Sequence, residues 1–262
     1  MKAMYSKVFL GLMLAALFVA VIGCIIWILK LNAMFAPPVP FPEALRNGNF
    51  ALYRHRNNVL YDFEGTNNGV AFNTTLVTDQ LGNPNNAFYF NGSNSYIQTV
   101  HPMQDLTDAT FSFWFDANLT GKYETLLSDA DRGSSNYCKI ALVSCGSISG
   151  IYIIANKNGA GNGIMITNGI GKFRQRLAHQ WLNLIWVMSP TSQRVYVNGV
   201  EVANIFVTAN DVGSHGDGLV IGADDSTYPY RDYFSGAIDD IRIYNRALSG
   251  DEVRQFYNLF KP

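Results

Sequence analysis

Seven Asn-Gly pairs punctuate the chain, at Asn47-Gly48, Asn68-Gly69, Asn91-Gly92, Asn158-Gly159, Asn162-Gly163, Asn168-Gly169 and Asn198-Gly199. Both residues tolerate positive φ, so such a pair between apolar alternations is the strongest short signal for a two-residue hairpin. The clearest case is Arg194-Val-Tyr-Val-Asn-Gly-Val-Glu-Val202, which predicts two strands meeting at Asn198-Gly199. Alternating or β-rich runs recur at 59–63, 87–90, 96–100, 110–115, 137–143, 150–155, 163–167, 181–188, 218–222 and 237–244. So many short strands with almost no helical periodicity predict an all-β fold, a two-sheet antiparallel sandwich. Charged residues make up 15% of the chain, below the roughly 25% usual for soluble domains. One helix is marked, at the end. Ser249 and Glu252 form an S-x-x-E capping box, and Val253, Phe256, Tyr257 and Phe260 follow at helical spacing, which predicts a short helix lying on the sandwich.

The front of the chain obeys different physics. Val8 to Leu29 carries no charge and is bounded by Lys7 and Lys30. About 22 residues at about 1.5 Å each reach roughly 33 Å, enough for a hydrocarbon core of about 30 Å. This predicts a single-pass transmembrane helix over 8–29, an uncleaved signal anchor, with Trp27 near the headgroup level. A cleaved export signal has an apolar core of only about 7–15 residues. Val21-Ile22-Gly23-Cys24 resembles a lipobox, so lipidation of Cys24 is a further reading, although the apolar run continues past it. Lys2 and Lys7 favour a short cytoplasmic N-terminus over 1–7, leaving the bulk of the chain on the periplasmic or extracellular side of the cell membrane. Pro37, Pro38, Pro40 and Pro42 make 30–46 a semi-rigid stalk, and the β-sandwich domain occupies 47–262.

Several function classes drop out. Nineteen Lys and Arg against twenty Asp and Glu leave a net charge of −1, without the basic field that nucleic acid demands. The four His residues are scattered, with no paired metal spacing, nucleophile elbow or phosphate loop. The chain is therefore read as a non-enzyme. Carbohydrate recognition needs an aromatic platform beside polar groups, and the segment 224–233 supplies Asp224, Asp225, Tyr228, Tyr230, Arg231 and Tyr233. The bland alternative is that these tyrosines cover the sandwich edge. Cys138 and Cys145 are the only cysteines outside the apolar run. They form a disulfide only if the chain turns between them, since an extended strand holds them about 23 Å apart; otherwise both are buried thiols.

An ordered series of motifs carries a family resemblance. It runs from Leu60-Tyr-Asp-Phe-Glu-Gly65 through Phe88-Tyr-Phe-Asn-Gly-Ser-Asn-Ser-Tyr-Ile97 and Thr110-Phe-Ser-Phe-Trp-Phe115 to Trp181-Leu-Asn-Leu-Ile-Trp-Val187 and Val195-Tyr-Val-Asn-Gly199. Leu219-Val-Ile-Gly222 and Phe234-Ser-Gly-Ala-Ile-Asp-Asp-Ile-Arg-Ile-Tyr-Asn-Arg-Ala-Leu248 complete it. From Asn58 to Leu259 the chain resembles the laminin-G-like, concanavalin-A-like lectin and glucanase jelly rolls. The resemblance implies a domain that binds a glycan or glycoprotein without chemistry. An accessory subunit of a membrane protein complex is the first alternative and a glycoside hydrolase the second, although the E-x-D-x-x-E pattern of glucan-hydrolysing relatives is absent. It also implies Ca²⁺ as a structural ion. Period-two alternation puts Asp239 inward with Ile241 and Ile243 and Asp240 outward with Arg242, so Asp239 either coordinates Ca²⁺ with Asp62 or satisfies backbone N–H groups or an Arg.

Overall fold

The hairpin at Asn198-Gly199 forms as its sequence dictates, with φ of 51° and 74° at the two positions, both in the left-handed region that a type I′ turn requires. In a computed structural model the described residues are 45, 49–56, 59–62, 67–100, 106–130, 137–144, 150–157, 160–167, 179–207, 218–226 and 229–262. The chain divides into two units, 1–43 and 44–262. The first, with the apolar run 8–29 and Cys24, lies outside the described residues. Among the described residues no helix is long and apolar enough to cross a membrane.

Among the described residues the second unit is built mainly of β-strands and ends in a helix. The strands are β1 (Asn49–Arg56), β2 (Val59–Asp62), β3 (Gly69–Phe72), β4 (Thr75–Val77), β5 (Ala87–Asn91), β6 (Tyr96–Thr99), β7 (Ala109–Ala117) and β8 (Tyr123–Ala130). They continue as β9 (Tyr137–Val143), β10 (Gly150–Lys157), β11 (Ala160–Ile166), β12 (Leu182–Ser189), β13 (Ser192–Val197), β14 (Val200–Phe206), β15 (Val220–Ile221) and β16 (Ser235–Tyr244). Hydrogen bonding runs in the order β11-β10-β9-β8-β15-β6-β3-β2-β1-β16-β7-β12-β13-β14, with β5 also paired to β16 and β4 to β5. One hydrophobic cluster draws on both halves of this ladder. Ile97, Leu127, Ile140, Ile153 and Ile221 come from one half, and Phe111, Phe113, Phe115, Leu184, Trp186 and Ile243 from the other. The halves therefore face each other as the two layers of a sandwich.

The register explains that packing. Leu182, Leu184, Trp186 and Met188 stand opposite Phe115, Phe113, Phe111 and Ala109, so both strands present the same alternate residues to the core. Phe111 stacks on Trp186 with ring centroids 5.1 Å apart. The other face of this layer is covered by α1 (Gly250–Phe260), whose capping box forms as expected. Val253 and Phe256 are buried beneath it, Tyr257 stacks on Trp114, and the Arg242 guanidinium lies 4.3 Å from the Phe260 ring centre.

Two elements depart from period two. In β8 the register shifts between Thr125 and Leu127, so Leu126 and Leu127, adjacent in sequence, both enter the core. In β16 a shift falls between Asp239 and Arg242, and Asp240 takes a positive φ of 49°. This bulge corrects the expected alternation. Ile238, Ile241 and Ile243 are core residues, whereas Asp239 stands opposite Trp114 and so falls out of step with Ile241.

Candidate functional site

Of the residues singled out at 224–233, those at 224–226 and 229–233 belong to a folded flap rather than a free loop. Gly222 opens it with φ of +84°, and a Cβ there would lie 2.3 Å from Phe90 Cδ1, so only glycine can make the turn. The Gly222 N–H donates to the Leu126 carbonyl at 3.0 Å and the Phe234 N–H to the Gly222 carbonyl at 2.9 Å, closing the base. Halfway out, Asp224 and Arg231 exchange backbone hydrogen bonds of 2.9 and 3.2 Å. The Thr125 N–H donates to the Asp232 carbonyl at 2.7 Å.

The flap lies on the outer face of the β6-β15-β8-β9 layer. Ile97, Leu127, Cys138, Ile140 and Ile221 point into the core, so Tyr96, Gln98, Ser128, Lys139 and Val220 face the other way. The flap contacts these residues. Asp224 is 1% exposed, and its Oδ2 accepts from Lys139 Nζ at 3.0 Å and from Arg231 Nε at 3.1 Å. The Ser226 N–H donates to its other oxygen at 3.0 Å. Burial alone would raise its pKa, but the Lys139 charge and the Ser226 and Lys139 hydrogen bonds hold the carboxyl below its usual value. Asp225 is buried and accepts a short hydrogen bond from the Ser128 hydroxyl.

An aromatic row runs away from this anchor. The Tyr230 hydroxyl donates to Gln98 Oε1 at 3.1 Å, and its ring meets Tyr96 edge to face with centroids 4.7 Å apart. Tyr96 in turn stacks on Phe72, centroids 4.6 Å apart and planes within 19°. Phe72 is 39% exposed. Its neighbour on the same face of β3, Val70, is exposed as well. At the opposite end the Arg231 side chain is 56% exposed, with Nη2 donating to the Ser226 hydroxyl at 3.1 Å. The row ends in water at both ends, with aromatic carbon on one side and a pinned guanidinium on the other.

Of the residues expected to form a binding surface, Arg231 is exposed, Tyr233 half-buried and Tyr230 buried, while Asp224 and Asp225 anchor the flap. Tyr228 lies outside the described residues. Phe72, Tyr96, Gln98 and Lys139 were not expected to join them. Tyr96 and Gln98 sit two apart on a strand recognisable from sequence, so their shared face was available, but Phe72 sits on a four-residue strand whose pairing is non-local.

The expected pairing of Asp62 with Asp239 also meets the sheet order. Asp62 lies on β2 opposite Tyr53 of β1, and Tyr53 stands opposite Ile241 of β16. A strand therefore separates the two, about 10 Å between their backbones. The Asp62 carboxylate accepts from the Asn67 N–H at 3.3 Å, and Asp240 pairs with Arg242 at 3.2 Å. Among the described residues no group of three or more His, Cys, Asp or Glu side chains could hold a metal ion. Cys138 is a free thiol, wholly buried, and Cys145 lies outside the described residues.

The comparisons agree with this architecture. Domain 4 of AbnA, a GH43 extracellular arabinanase from Geobacillus stearothermophilus solved in complex with arabinotriose, superposes with a TM-score of 0.62 at 20% identity, covering 80% of this chain and 98% of that one. The binding domain of botulinum neurotoxin DC in complex with SialylT gives 0.63 at 14% identity, covering 82% and 52%. That of botulinum neurotoxin serotype D gives 0.62 at 16%, covering 80% and 51%. The chain thus spans about half the length of the toxin domains, and at these identities the likeness is one of fold. No curated protein matches in sequence. The family model described as the concanavalin A-like lectin/glucanases superfamily matches residues 91–254, well over half the chain, and with its jelly-roll ladder the chain belongs to that superfamily.

Proposed function

We propose that the sandwich is a non-catalytic glycan-binding module, displayed by a single-pass anchor over 8–29 on the non-cytoplasmic side of the cell membrane. One observation carries the binding role: the stacked row Phe72, Tyr96 and Tyr230, open to water at Phe72 and flanked by Gln98 and the exposed Arg231. Sugar C–H faces pack on aromatic rings while hydroxyls meet amides and charged groups. Hydrogen bonds and edge-to-face packing hold the row in place before ligand arrives, which lowers the ordering cost of binding. The arabinotriose complex of the arabinanase domain and the SialylT complex of the toxin domain are consistent with a saccharide ligand. The anchor rests on the uncharged stretch between Lys7 and Lys30.

A second reading, a protein-contact subunit, draws on a different surface. The last strand of the ladder, β14, exposes Phe206 at 90% and Val200 at 65%, more apolar surface than a solvated strand ordinarily shows. A glycan array probed with the full chain in mild detergent separates the two. Array binding that is lost in Phe72→Ala supports the lectin reading. A silent array together with stoichiometric co-purifying membrane proteins, released by Phe206→Ser, overturns it. Turnover of a bound oligosaccharide would overturn the non-catalytic part.

A further inference from the structure

The open end of the aromatic row constrains the chemical class of its ligand, an inference that rests on the glycan-binding reading. We infer that the site takes a saccharide whose ring carries an apolar substituent, an acetamido methyl or a 6-deoxy methyl, in preference to a plain hexose.

The register lays this face out. β3 and β6 pair with Phe72 opposite Tyr96 and Val70 opposite Gln98, and the Val100 N–H donates to the Asn68 carbonyl at 3.2 Å, which adds a third rung. Ile97 and Thr99 are buried, so Tyr96, Gln98 and Val100 alternate onto the outer side, with Phe72 and Val70 beside them. Val70 is 54% exposed and Val100 59%. Successive rungs lie about 6.8 Å apart along the strands, two residues at about 3.4 Å each. Aromatic ring, Val70 and Val100 therefore follow one another within about 14 Å.

Phe72 offers one stacking surface. Tyr96 covers one face of its ring, parallel within 19°, so a single sugar packs on what remains. One rung on, that sugar's substituents meet exposed methyl groups. Phe72, Tyr96, Val70, Gln98, Asn68 and Val100 include no charged residue, and Asn68 Oδ1 is taken up by the Asp62 N–H at 2.9 Å. A plain hexose stacked on Phe72 turns hydroxyls toward Val70 and exchanges their water for apolar carbon, which costs free energy. A methyl-bearing substituent in that place buries against the valines instead, which gains it. The size of the patch fits the same occupant. Three partly exposed apolar side chains fall far short of the roughly 800 Å² per partner that a stable protein interface buries, whereas they match one substituted ring.

The test uses the full chain in mild detergent on an array of matched glycans that differ only in substitution, with N-acetylhexosamine and 6-deoxyhexose oligosaccharides beside their plain hexose counterparts. Calorimetry of the strongest hit and of its plain counterpart then gives the discrimination ratio. Substituted glycans are expected to lead, and Phe72→Ala to weaken both members of a pair. Val70→Thr and Val100→Thr each exchange one exposed methyl for a hydroxyl and stay β-branched, so the backbone preference is kept. Each should cut the ratio about fourfold while leaving the plain sugar's affinity in place. A lead for plain hexoses, or a ratio untouched by both variants, would overturn the inference and leave the lectin reading intact. A silent array would remove the lectin reading itself, and the inference with it.

Discussion

Replacing Asp224 by Ala tests whether the flap is held as the geometry describes. The carboxylate is 1% exposed and Lys139 14% exposed, so deletion leaves a nearly buried ammonium without its partner. Breaking a buried pair from one side costs about 3–5 kcal/mol. The exposed Arg231 contact adds about 0–1 kcal/mol, and the released Ser226 N–H adds about 1 kcal/mol. A total of about 4–7 kcal/mol lowers the melting temperature of a domain this size by about 8–28 °C. The loss carries a pH signature. The Asp224 carboxyl is held below its usual pKa in the folded state, so its stabilisation is fully present above the unfolded value and is lost as pH falls through the folded one. Thermal unfolding of wild type and Asp224→Ala followed by circular dichroism at pH 7 and pH 3 should therefore show a wide gap that narrows in acid. The double variant Lys139→Met, Asp224→Leu should regain most of the loss, because apolar residues of similar volume replace a buried pair at little cost. A gap under about 1 kcal/mol at pH 7, or one unchanged at pH 3, would show that Asp224 is not the anchor.

Two further outcomes follow from the packing around Gly222 and Cys138. Gly222→Ala forces a Cβ to 2.3 Å from the enclosed Phe90 ring at φ of +84°, and should cost about 3–5 kcal/mol from strain and overpacking together. Gly82→Ala, at the same φ with nothing within 4 Å, should cost about 1–2 kcal/mol, and equal denaturant midpoint shifts for the two would contradict the packing at Phe90. The Cys138 thiol is pushed well above its usual pKa by burial, with Asp129 and Asp225 adding to it. In a chain with Cys24 and Cys145 changed to Ser it should resist a thiol reagent at pH 8 until denaturant is added, and rapid stoichiometric labelling of the folded chain would refute its place in the core.

The parts of the fold legible in the sequence are those where one rule acts alone. β7 and β12 alternate without interruption, so Phe111, Phe113 and Phe115 could be assigned to the core from spacing. Ser249 and Glu252 mark α1 through contacts within one turn, and Asn198-Gly199 specifies its hairpin through two φ angles. Where an extra residue enters a strand the rule fails: the Leu126-Leu127 step hides β8, and the Asp239-Asp240 step reverses the expected faces in β16. β1, with Asn49, Arg54, His55 and Arg56 among its eight residues, offers no apolar alternation at all, although it is the strand that separates Asp62 from β16. The candidate site failed to read through for a related reason. A run of acids and tyrosines reads as an exposed surface when it is imagined as a projecting loop. Here a short ladder through β8, β15 and β6, closed between residues far apart in sequence, gives that run a sheet to lie upon. Once it lies down, Asp224 and Asp225 face the sheet and become anchors, while the exposed part of the aromatic row passes to Phe72 on a strand the loop's own sequence does not mention. What a polar loop does in a sandwich therefore depends on whether the layer beneath it offers hydroxyl, amide and ammonium groups to receive it, as Ser128, Gln98 and Lys139 do here.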